Sequence, residues 1–379
     1  MTGKILGALT IMSLCAPMGH AAGILIDHND TDITALSEAA INNAKANLHI
    51  AYGHTSHGSQ LTDGMNGLVG FANGGGLGMS HPADIFAWNN GGSSGALDLH
   101  DYAMGGDVGY YPQWVNNTTN YLNDPAHSDV NVIVWSWCGQ VDSKYASGTL
   151  NSEYISPMVN LEAAYPNVTF VYMTGHVDHW DDTNNKAANQ VIRDHCAAND
   201  KVLFDFADIE SYDPDGSYYQ FPQDNCDYYA SLTGPVMGNW ADQWQSSHIE
   251  GVDWYSCGSA HSRPLNANRK AYAAWALWTS IADSVRPMGD SNCDGCVDIS
   301  DYENLVAQFG STPGLDSADF NGDGSVDLGD FVIMRENFGF GVEPALYNGS
   351  GSTIPEPATL ILMTTCFPLL LKLRRRLRS

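Results

Sequence analysis

Apolar runs alternate with amphipathic stretches over most of the chain, between residues 22 and 284. The apolar runs predict β-strands at 48–52, 130–137, 168–173 and 202–206. The amphipathic stretches predict helices at 33–46, 152–164, 184–198 and 266–282. Such alternation is typical of a mostly parallel sheet with helices on both faces. The predicted fold of 22–284 is therefore α/β, with three α/β/α layers.

The first predicted strand runs into a glycine-flanked turn that contains a serine. Residues 48–58 read Leu-His-Ile-Ala-Tyr-Gly-His-Thr-Ser-His-Gly, so the strand breaks at Gly53 and Ser56 follows in the turn. Open α/β sheets bind ligands at the carboxyl ends of their strands. Ser56 is therefore a candidate nucleophile. Serines in such turns more often cap a helix or form an ST-turn. Whether Ser56 is a nucleophile therefore depends on which side chains lie next to it.

The order of short motifs along 22–284 resembles that of the SGNH (GDSL-type) hydrolases. The first motif is the serine turn 53–58, and the last is His261 followed by Pro264-Leu265-Asn266 and a closing helix. The resemblance implies an esterase in which Ser56 is the nucleophile and His261 is the base, with no cofactor. It also implies oxyanion donors, for which Gly105 and Gln140 are the nearest candidates. A structural histidine that caps the last helix is the alternative for His261.

The acid that would orient His261 is left open by the sequence. Three residues before the histidine, where the family has an aspartate, this chain has Gly258. Asp253, Asp205 and Glu210 are candidates to replace that carboxylate, and a histidine base can also work without one.

Histidines close to two predicted strand ends give a second hypothesis for the site. His54 and His57 follow the first strand, and His176 and Asp178 follow the strand at 168–173. Nitrogen and oxygen ligands at neighbouring strand ends can bind zinc or another transition metal. The alternative activity is therefore that of a metal-dependent hydrolase that uses these four residues.

Two acidic loops repeat between residues 288 and 340. The twelve residues that begin at Asp290 recur 29 residues later from Asp319, and an amphipathic helix follows each loop. Oxygen ligands at loop positions 1, 3, 5, 7, 9 and 12, with glycine at position 6, suit Ca²⁺. The predicted ligands are Asp290, Asn292, Asp294, Cys296, Asp298 and Asp301 in the first loop, and Asp319, Asn321, Asp323, Ser325, Asp327 and Asp330 in the second.

The pair of loops resembles a type I dockerin, a small α-helical calcium-binding module, with aspartate at position 12. That resemblance implies two Ca²⁺ ions, calcium-dependent folding and docking to a cohesin-like protein. Positions 10 and 11 differ between the loops, Ile299-Ser300 against Leu328-Gly329, so a symmetric docking face is not expected. The presence of a dockerin-like module in the same chain suggests a carbohydrate ester as the substrate.

Both ends of the chain carry targeting patterns. Residues 1–21 combine Lys4, an apolar run and small residues before a cleavage point, which is typical of a signal peptide. A Gly/Ser-rich linker at 341–353 precedes 354–379, where Pro-Glu-Pro, an apolar run and an arginine cluster follow one another. This order resembles the PEP-CTERM sorting signal, which implies exosortase processing and display at the cell surface or in an extracellular matrix. A C-terminal membrane anchor is the alternative.

The net charge excludes one class of partner, and the cysteine content raises the question of disulfide bonds. The chain has 16 Lys+Arg against 43 Asp+Glu, a formal net charge of −27, which excludes a polyanion such as nucleic acid as a partner. The four cysteines of the large region allow three full disulfide pairings, which the sequence does not separate; among the possible bonds we favour Cys226 with Cys257. The sequence thus predicts a secreted ester hydrolase acting on an extracellular polysaccharide. The contrasting hypothesis is a non-catalytic matrix or binding protein.

Overall fold

The computed structural model describes residues 23–284, 287–292, 296–310, 318–321 and 324–340. The predicted signal peptide 1–21, the ligands Asp294 and Asp323, the linker 341–353 and the sorting segment 354–379 lie outside the described residues. In the part of the chain that is described, no helix is both long and apolar enough to span a membrane.

A seven-stranded sheet forms the centre of the large region, and every strand in it pairs parallel with its neighbours. Its strands are β1 Leu25–Ile26, β2 His49–Gly53, β3 Trp88–Asn89, β4 Leu97–His100, β5 Val132–Trp135, β6 Thr169–Met173 and β7 Val202–Phe204. Their order in space is β1-β7-β6-β5-β2-β4-β3, so β6, β5 and β2 lie side by side at the centre. A separate antiparallel ribbon pairs β8 Asp227–Tyr229 with β9 Val236–Asn239.

Helices connect the strands, as the alternation in the sequence predicts. They are α1 Glu38–Asn47, α2 Ser56–Asn73, α3 Gln113–Leu122, α4 Val141–Ala146, α5 Ser156–Ala164, α6 Asp182–Ala198, α7 Phe206–Glu210, α8 Trp240–Ser247 and α9 Pro264–Ser284. The four predicted strands and four predicted helices are all present, with shifted ends. The α/β class with a parallel sheet is therefore confirmed.

Side chains of the central strands alternate between two hydrophobic cores. Ile50 and Tyr52 of β2 belong to the core that includes residues of α1, α2 and α9, whereas Ala51 between them belongs to the core that includes residues of α3, α5 and α6. Successive side chains of a strand point to opposite faces of a sheet. Helices therefore cover both faces, and the carboxyl edge of the sheet is left for loops.

The repeated loops lead into two further helices, α10 Ile299–Gln308 and α11 Leu328–Asn337. Asp298 caps α10 through Ser300 N–H at 2.7 Å, and Asp327 caps α11 through Gly329 N–H at 2.7 Å. A small apolar cluster includes Val297 and Leu305 from the first half and Val326 and Met334 from the second. The two halves of the repeat thus share one core.

The selected disulfide between Cys226 and Cys257 is wrong. The structure has both residues as free thiols, and Cys138 and Cys196 are free as well. Cys226 Sγ lies 3.2 Å from the hydroxyl oxygen of Ser262, while Cys257 Sγ lies 3.4 Å from Nδ2 of Asn268. Each of the two thiols is accommodated by a polar neighbour, so no cross-link is needed to explain its burial.

Candidate functional site

The three central strands deliver three polar side chains to one edge of the sheet. Ser56 follows β2, Cys138 follows β5 and His176 follows β6, each within three residues of the end of its strand. Because parallel strands end at the same edge, side chains that follow neighbouring strands come together there. Contacts among these loops confirm the grouping, since the ring of His57, next to Ser56, stacks on His176 with centroids 3.9 Å apart.

Two glycines explain how the turn between β2 and α2 fits against β5. A Cβ atom on Gly53 would lie 2.5 Å from the Trp135 ring, and one on Gly58 would lie 2.3 Å from Ser136 Oγ. The hydroxyl of Tyr52 also donates a hydrogen bond to the carbonyl of Gly58 at 3.0 Å. The first turn of α2 is therefore pressed against the strand ends, and this contact fixes the position of Ser56.

Ser56 and His261 are in hydrogen-bonding contact, although 205 residues separate them. The Nε2 atom of His261 lies 3.0 Å from Oγ of Ser56. The imidazole is on an exposed residue whose backbone φ is 65°, in the left-handed region that non-glycine residues seldom adopt. A base beside a hydroxyl at this distance can accept its proton.

A buried polar network holds the loop that carries His261. The side-chain amide of Gln60, in α2, donates to the carbonyl of Ala260, and the ammonium of Lys270, in α9, binds the side-chain oxygen of Gln60. Lys270 is fully buried and also pairs with Glu210. A buried charge is tolerated only with such partners. The unusual backbone at His261 is thus supported by α2 and α9.

A second set of contacts lies on the other side of Ser56. Sγ of Cys138 is 3.4 Å from Oγ of Ser56 and 3.5 Å from Nδ1 of His57. Nε2 of His57 lies 3.1 Å from a carboxylate oxygen of Asp224. Gln223 in turn donates to the other carboxylate oxygen of Asp224 at 2.8 Å. Thiol, imidazole and carboxylate therefore form a continuous chain.

Electrostatics favour a charged His57. Burial opposes its positive charge, but the hydrogen bonds to Asp224 and Cys138 outweigh that effect and raise the pKa of His57 to about 9. The hydrogen bond from His57 lowers the pKa of the Cys138 thiol to about 6, against the effect of burial. His176 differs, because burial and then the charge of His57 lower its pKa. At neutral pH these shifts favour a thiolate at Cys138 and an imidazolium at His57, with a neutral His176 imidazole stacked on His57.

The two oxyanion donors implied by the sequence have other contacts. Oε1 of Gln140 accepts the backbone N–H of Cys138 at 3.0 Å, so this side chain orders its own loop. The carbonyl of Gly105 accepts a hydrogen bond from Asn117 at 2.8 Å. Among the described contacts, none joins Gly105 or Gln140 to Ser56.

The first turn of α2 offers other donors for an oxyanion. Its N-cap residue is Thr55, whose side chain makes no capping hydrogen bond and instead donates to Asp107 at 3.2 Å. The first N–H groups of a helix have no partner within the helix. The amides that start at Ser56 therefore have no partner within the helix, and they lie at the positive end of an 18-residue helix that begins at the site.

None of the three acids considered for His261 contacts it. Asp253 accepts the backbone N–H of Ile249, Asp205 binds Arg193, and Glu210 binds Lys270. Each carboxylate is therefore used elsewhere in the fold. Asp224, which the sequence analysis did not consider, offers an oxygen within 4.8 Å of a ring nitrogen of His261.

The four residues of the predicted metal site do not assemble as expected. His54 is buried and uses Nε2 to bind Asp101 at 2.7 Å, while Asp178 accepts the backbone N–H of Trp180. Only His57 and His176 of that set are in contact. Ligand atoms of His57, Asp224 and His261 lie within 4.8 Å of one another at this edge. Hydrogen bonds already account for those side chains.

The repeated loops place their last aspartates in equivalent positions. Asp301 accepts the N–H of Ser291 at 2.6 Å and that of Asp298 at 2.8 Å, and Asp330 does the same with Phe320 at 2.7 Å and Asp327 at 2.8 Å. Both carboxylates are fully buried. Position 12 of each loop therefore closes the loop onto the start of its helix.

Sequence reasoning missed Cys138 and Asp224, and it grouped His57 with His54, His176 and Asp178, of which the structure brings His176 against the His57 ring. Cys138 had a usable signal, because it follows a strand as Ser56 does and a glycine comes next. Asp224 had none, since it belongs to a long irregular segment between α7 and β8. Comparisons of the chain with models of protein families, with curated proteins and with solved structures found no match.

Proposed function

We propose that this protein is an ester hydrolase that works by acyl transfer through Ser56, with His261 as the base. The observation that carries the proposal is the 3.0 Å contact between Oγ of Ser56 and Nε2 of His261 at the carboxyl edge of a parallel sheet. A hydroxyl becomes an effective nucleophile only when a neighbouring base removes its proton. This contact supplies that base.

The reaction follows from the positions of the atoms. His261 takes the hydroxyl proton while Oγ of Ser56 attacks the acyl carbon of the ester. The N–H groups of the first turn of α2 stabilise the negative oxygen of the tetrahedral intermediate, together with the positive end of the helix dipole. The proton on His261 then passes to the leaving alkoxide. Water releases the acyl group in a second step with the same base.

The order of motifs supports an SGNH-like three-layer domain, and the paired acidic loops support a carbohydrate ester as the substrate class.

The proposal includes one Ca²⁺ in each loop. The buried carboxylates of Asp301 and Asp330 accept backbone N–H groups, and a cation nearby would stabilise their charge further. Oxygen atoms of Asp290, Asn292, Asp298 and their counterparts in the second loop would hold the ion, which would organise the loop. A cohesin-like protein is the proposed partner of this module, and export to the cell surface is the proposed location.

Labelling with a fluorophosphonate tests the nucleophile directly. In the full chain we expect one labelled site, Ser56, and no labelling of Ser56→Ala or His261→Ala. Ser59→Ala is the matched control, because Ser59 lies on the same turn of α2 but its hydroxyl donates to the carbonyl of Ser56 at 2.8 Å. Control and wild type should label equally. Folded wild type that does not label would overturn the serine mechanism and favour the non-catalytic matrix protein.

A further inference from the structure

Cys138 occupies the centre of the site but has no part in the serine mechanism. Its sulfur lies within 3.5 Å of both Oγ of Ser56 and Nδ1 of His57. The residue is only partly buried, as is Cys257, whereas Cys196 and Cys226 are buried; Cys257 lies beside Asn268 and not beside an imidazole. Burial in apolar surroundings makes a cysteine inert, so an accessible thiol between a hydroxyl and an imidazole differs from the other cysteines of the large region.

His57 is oriented as a base for this thiol. One ring nitrogen faces the sulfur, and the other lies 3.1 Å from the carboxylate of Asp224. The ring also stacks on His176, and Nδ1 of His176 donates to the carbonyl of Val177 at 2.7 Å. Gln223 fixes Asp224 through its side-chain amide. Every member of the set is therefore held by a further contact, as in a nucleophile, base and orienting acid.

We propose that Cys138, with His57 as its base and Asp224 as the orienting acid, is a second nucleophile of this site and accepts acyl groups as a thioester. The inference rests on the proposed function for the class of substrate, an acyl ester or thioester. It does not rest on Ser56 being reactive. The lowered pKa of the thiol adds support, and so does the amino end of α2, which favours an anion.

The chemical step balances without a further reactant. The thiolate of Cys138 attacks the acyl carbon, a carbon–sulfur bond forms, and the carbon–oxygen bond to the leaving alcohol breaks. The leaving alkoxide takes the proton of the His57 imidazolium and departs as an alcohol. Water then attacks the thioester while His57 accepts a proton from the water, and the cysteine leaves as a thiolate. Asp224 stays ionised throughout, because its pKa is lowered, against the effect of burial, by hydrogen bonds from His57 and Gln223.

Alkylation of the folded full chain with iodoacetamide at pH 7 tests the reactivity of the thiol. Peptide mapping should show Cys138 modified at least about tenfold faster than Cys196, Cys226 or Cys257, since burial raises the pKa of each of those three to about 12. His57→Gln should slow the modification of Cys138 about tenfold. Equal rates for Cys138 and Cys257 would overturn the proposal.

Acyl transfer to the thiol is tested separately with p-nitrophenyl acetate. In Ser56→Ala we expect an acetyl group on Cys138 that hydroxylamine removes, and in Ser56→Ala/Cys138→Ala we expect none. Fluorophosphonate labelling of Cys138→Ala reports on Ser56 alone. If Ser56→Ala carries no acetyl group while Cys138→Ala is still labelled by the fluorophosphonate, the second nucleophile is refuted and the serine mechanism stands. If Cys138 is acetylated in Ser56→Ala but Cys138→Ala is not labelled, the second nucleophile is supported and the serine mechanism is refuted.

Discussion

His57 is the residue that links the two parts of the site. Its ring stacks on His176 and on His261, and its two nitrogens face Cys138 and Asp224. A side chain with four defined contacts has little rotational freedom left. The same geometry keeps His57 charged at neutral pH, so its effect on the site is both steric and electrostatic.

The pH dependence of alkylation measures the electrostatic effect of His57 on Cys138. Cys138 is a thiolate above its pKa of about 6, so its rate of modification by iodoacetamide should rise through pH 6 and level off above it. In His57→Gln the midpoint should move towards the value of an ordinary thiol, roughly 8.5. His54→Gln is the matched control, because His54 binds Asp101 and not Cys138. Equal midpoints in wild type and His57→Gln would refute the ion pair.

At the scale of elements, the turn between β2 and α2 determines where Ser56 lies. The strand ends at Gly53, and the helix begins at Ser56 with its first turn against Ser136 of the neighbouring strand end. Only a residue without a side chain fits at Gly58, where a Cβ atom would meet the side chain of His54 as well. A small displacement of the first turn of α2 would therefore be transmitted to its neighbours, because protein interiors have few voids that could absorb it.

Two glycines of α2 should respond in opposite ways to alanine. Gly58→Ala should lower the free energy of unfolding by about 1–3 kcal/mol and abolish fluorophosphonate labelling, because the new methyl group displaces the first turn. Gly70→Ala should raise the free energy of unfolding by about 0.5–1 kcal/mol, since Gly70 is exposed, nothing lies within 4 Å of its Cβ position, and alanine is the better helix former. Urea unfolding measures both changes. Destabilisation by Gly70→Ala, or normal labelling of Gly58→Ala, would contradict this account.

At the scale of the whole molecule, the described residues include a large α/β region and a small helical repeat with separate cores. The repeat has few buried apolar residues, so its own hydrophobic stabilisation is small. Modules of this size depend on metals or disulfides for stability. The large region has two extensive hydrophobic cores of its own.

Removal of calcium should therefore affect the two regions differently. In the full chain treated with EGTA, limited proteolysis should cut within 288–340 and leave 23–284 intact, because the proposed binding of Ca²⁺ would contribute folding free energy to the loops. Added Ca²⁺ should restore protection, and Asp330→Asn should weaken it even with Ca²⁺ present. Cleavage patterns that are identical with and without EGTA would show that the repeat folds without the ion.

The sequence was most informative where periodicity and chain order act together. Long apolar strands and amphipathic helices predicted the parallel sheet, whereas the resemblance in motif order paired Ser56 with His261, two residues that the fold brings into contact. Strands of two residues, such as β1 and β3, have no periodicity to detect. Asp224 could not be predicted, because its position depends on how an irregular segment crosses the site.

The hydroxyl of Ser56 has one hydrogen and two neighbours able to accept it, Nε2 of His261 and Sγ of Cys138. When the hydrogen points towards the imidazole, the oxygen is ready to react and the sulfur keeps its full negative charge. When the hydrogen points towards the sulfur, the oxygen cannot be deprotonated by His261 and the thiolate becomes a weaker attacker. For the two proposed nucleophiles, the rotation of a single O–H bond would therefore set which atom attacks the substrate, and the two reactivities would alternate rather than add.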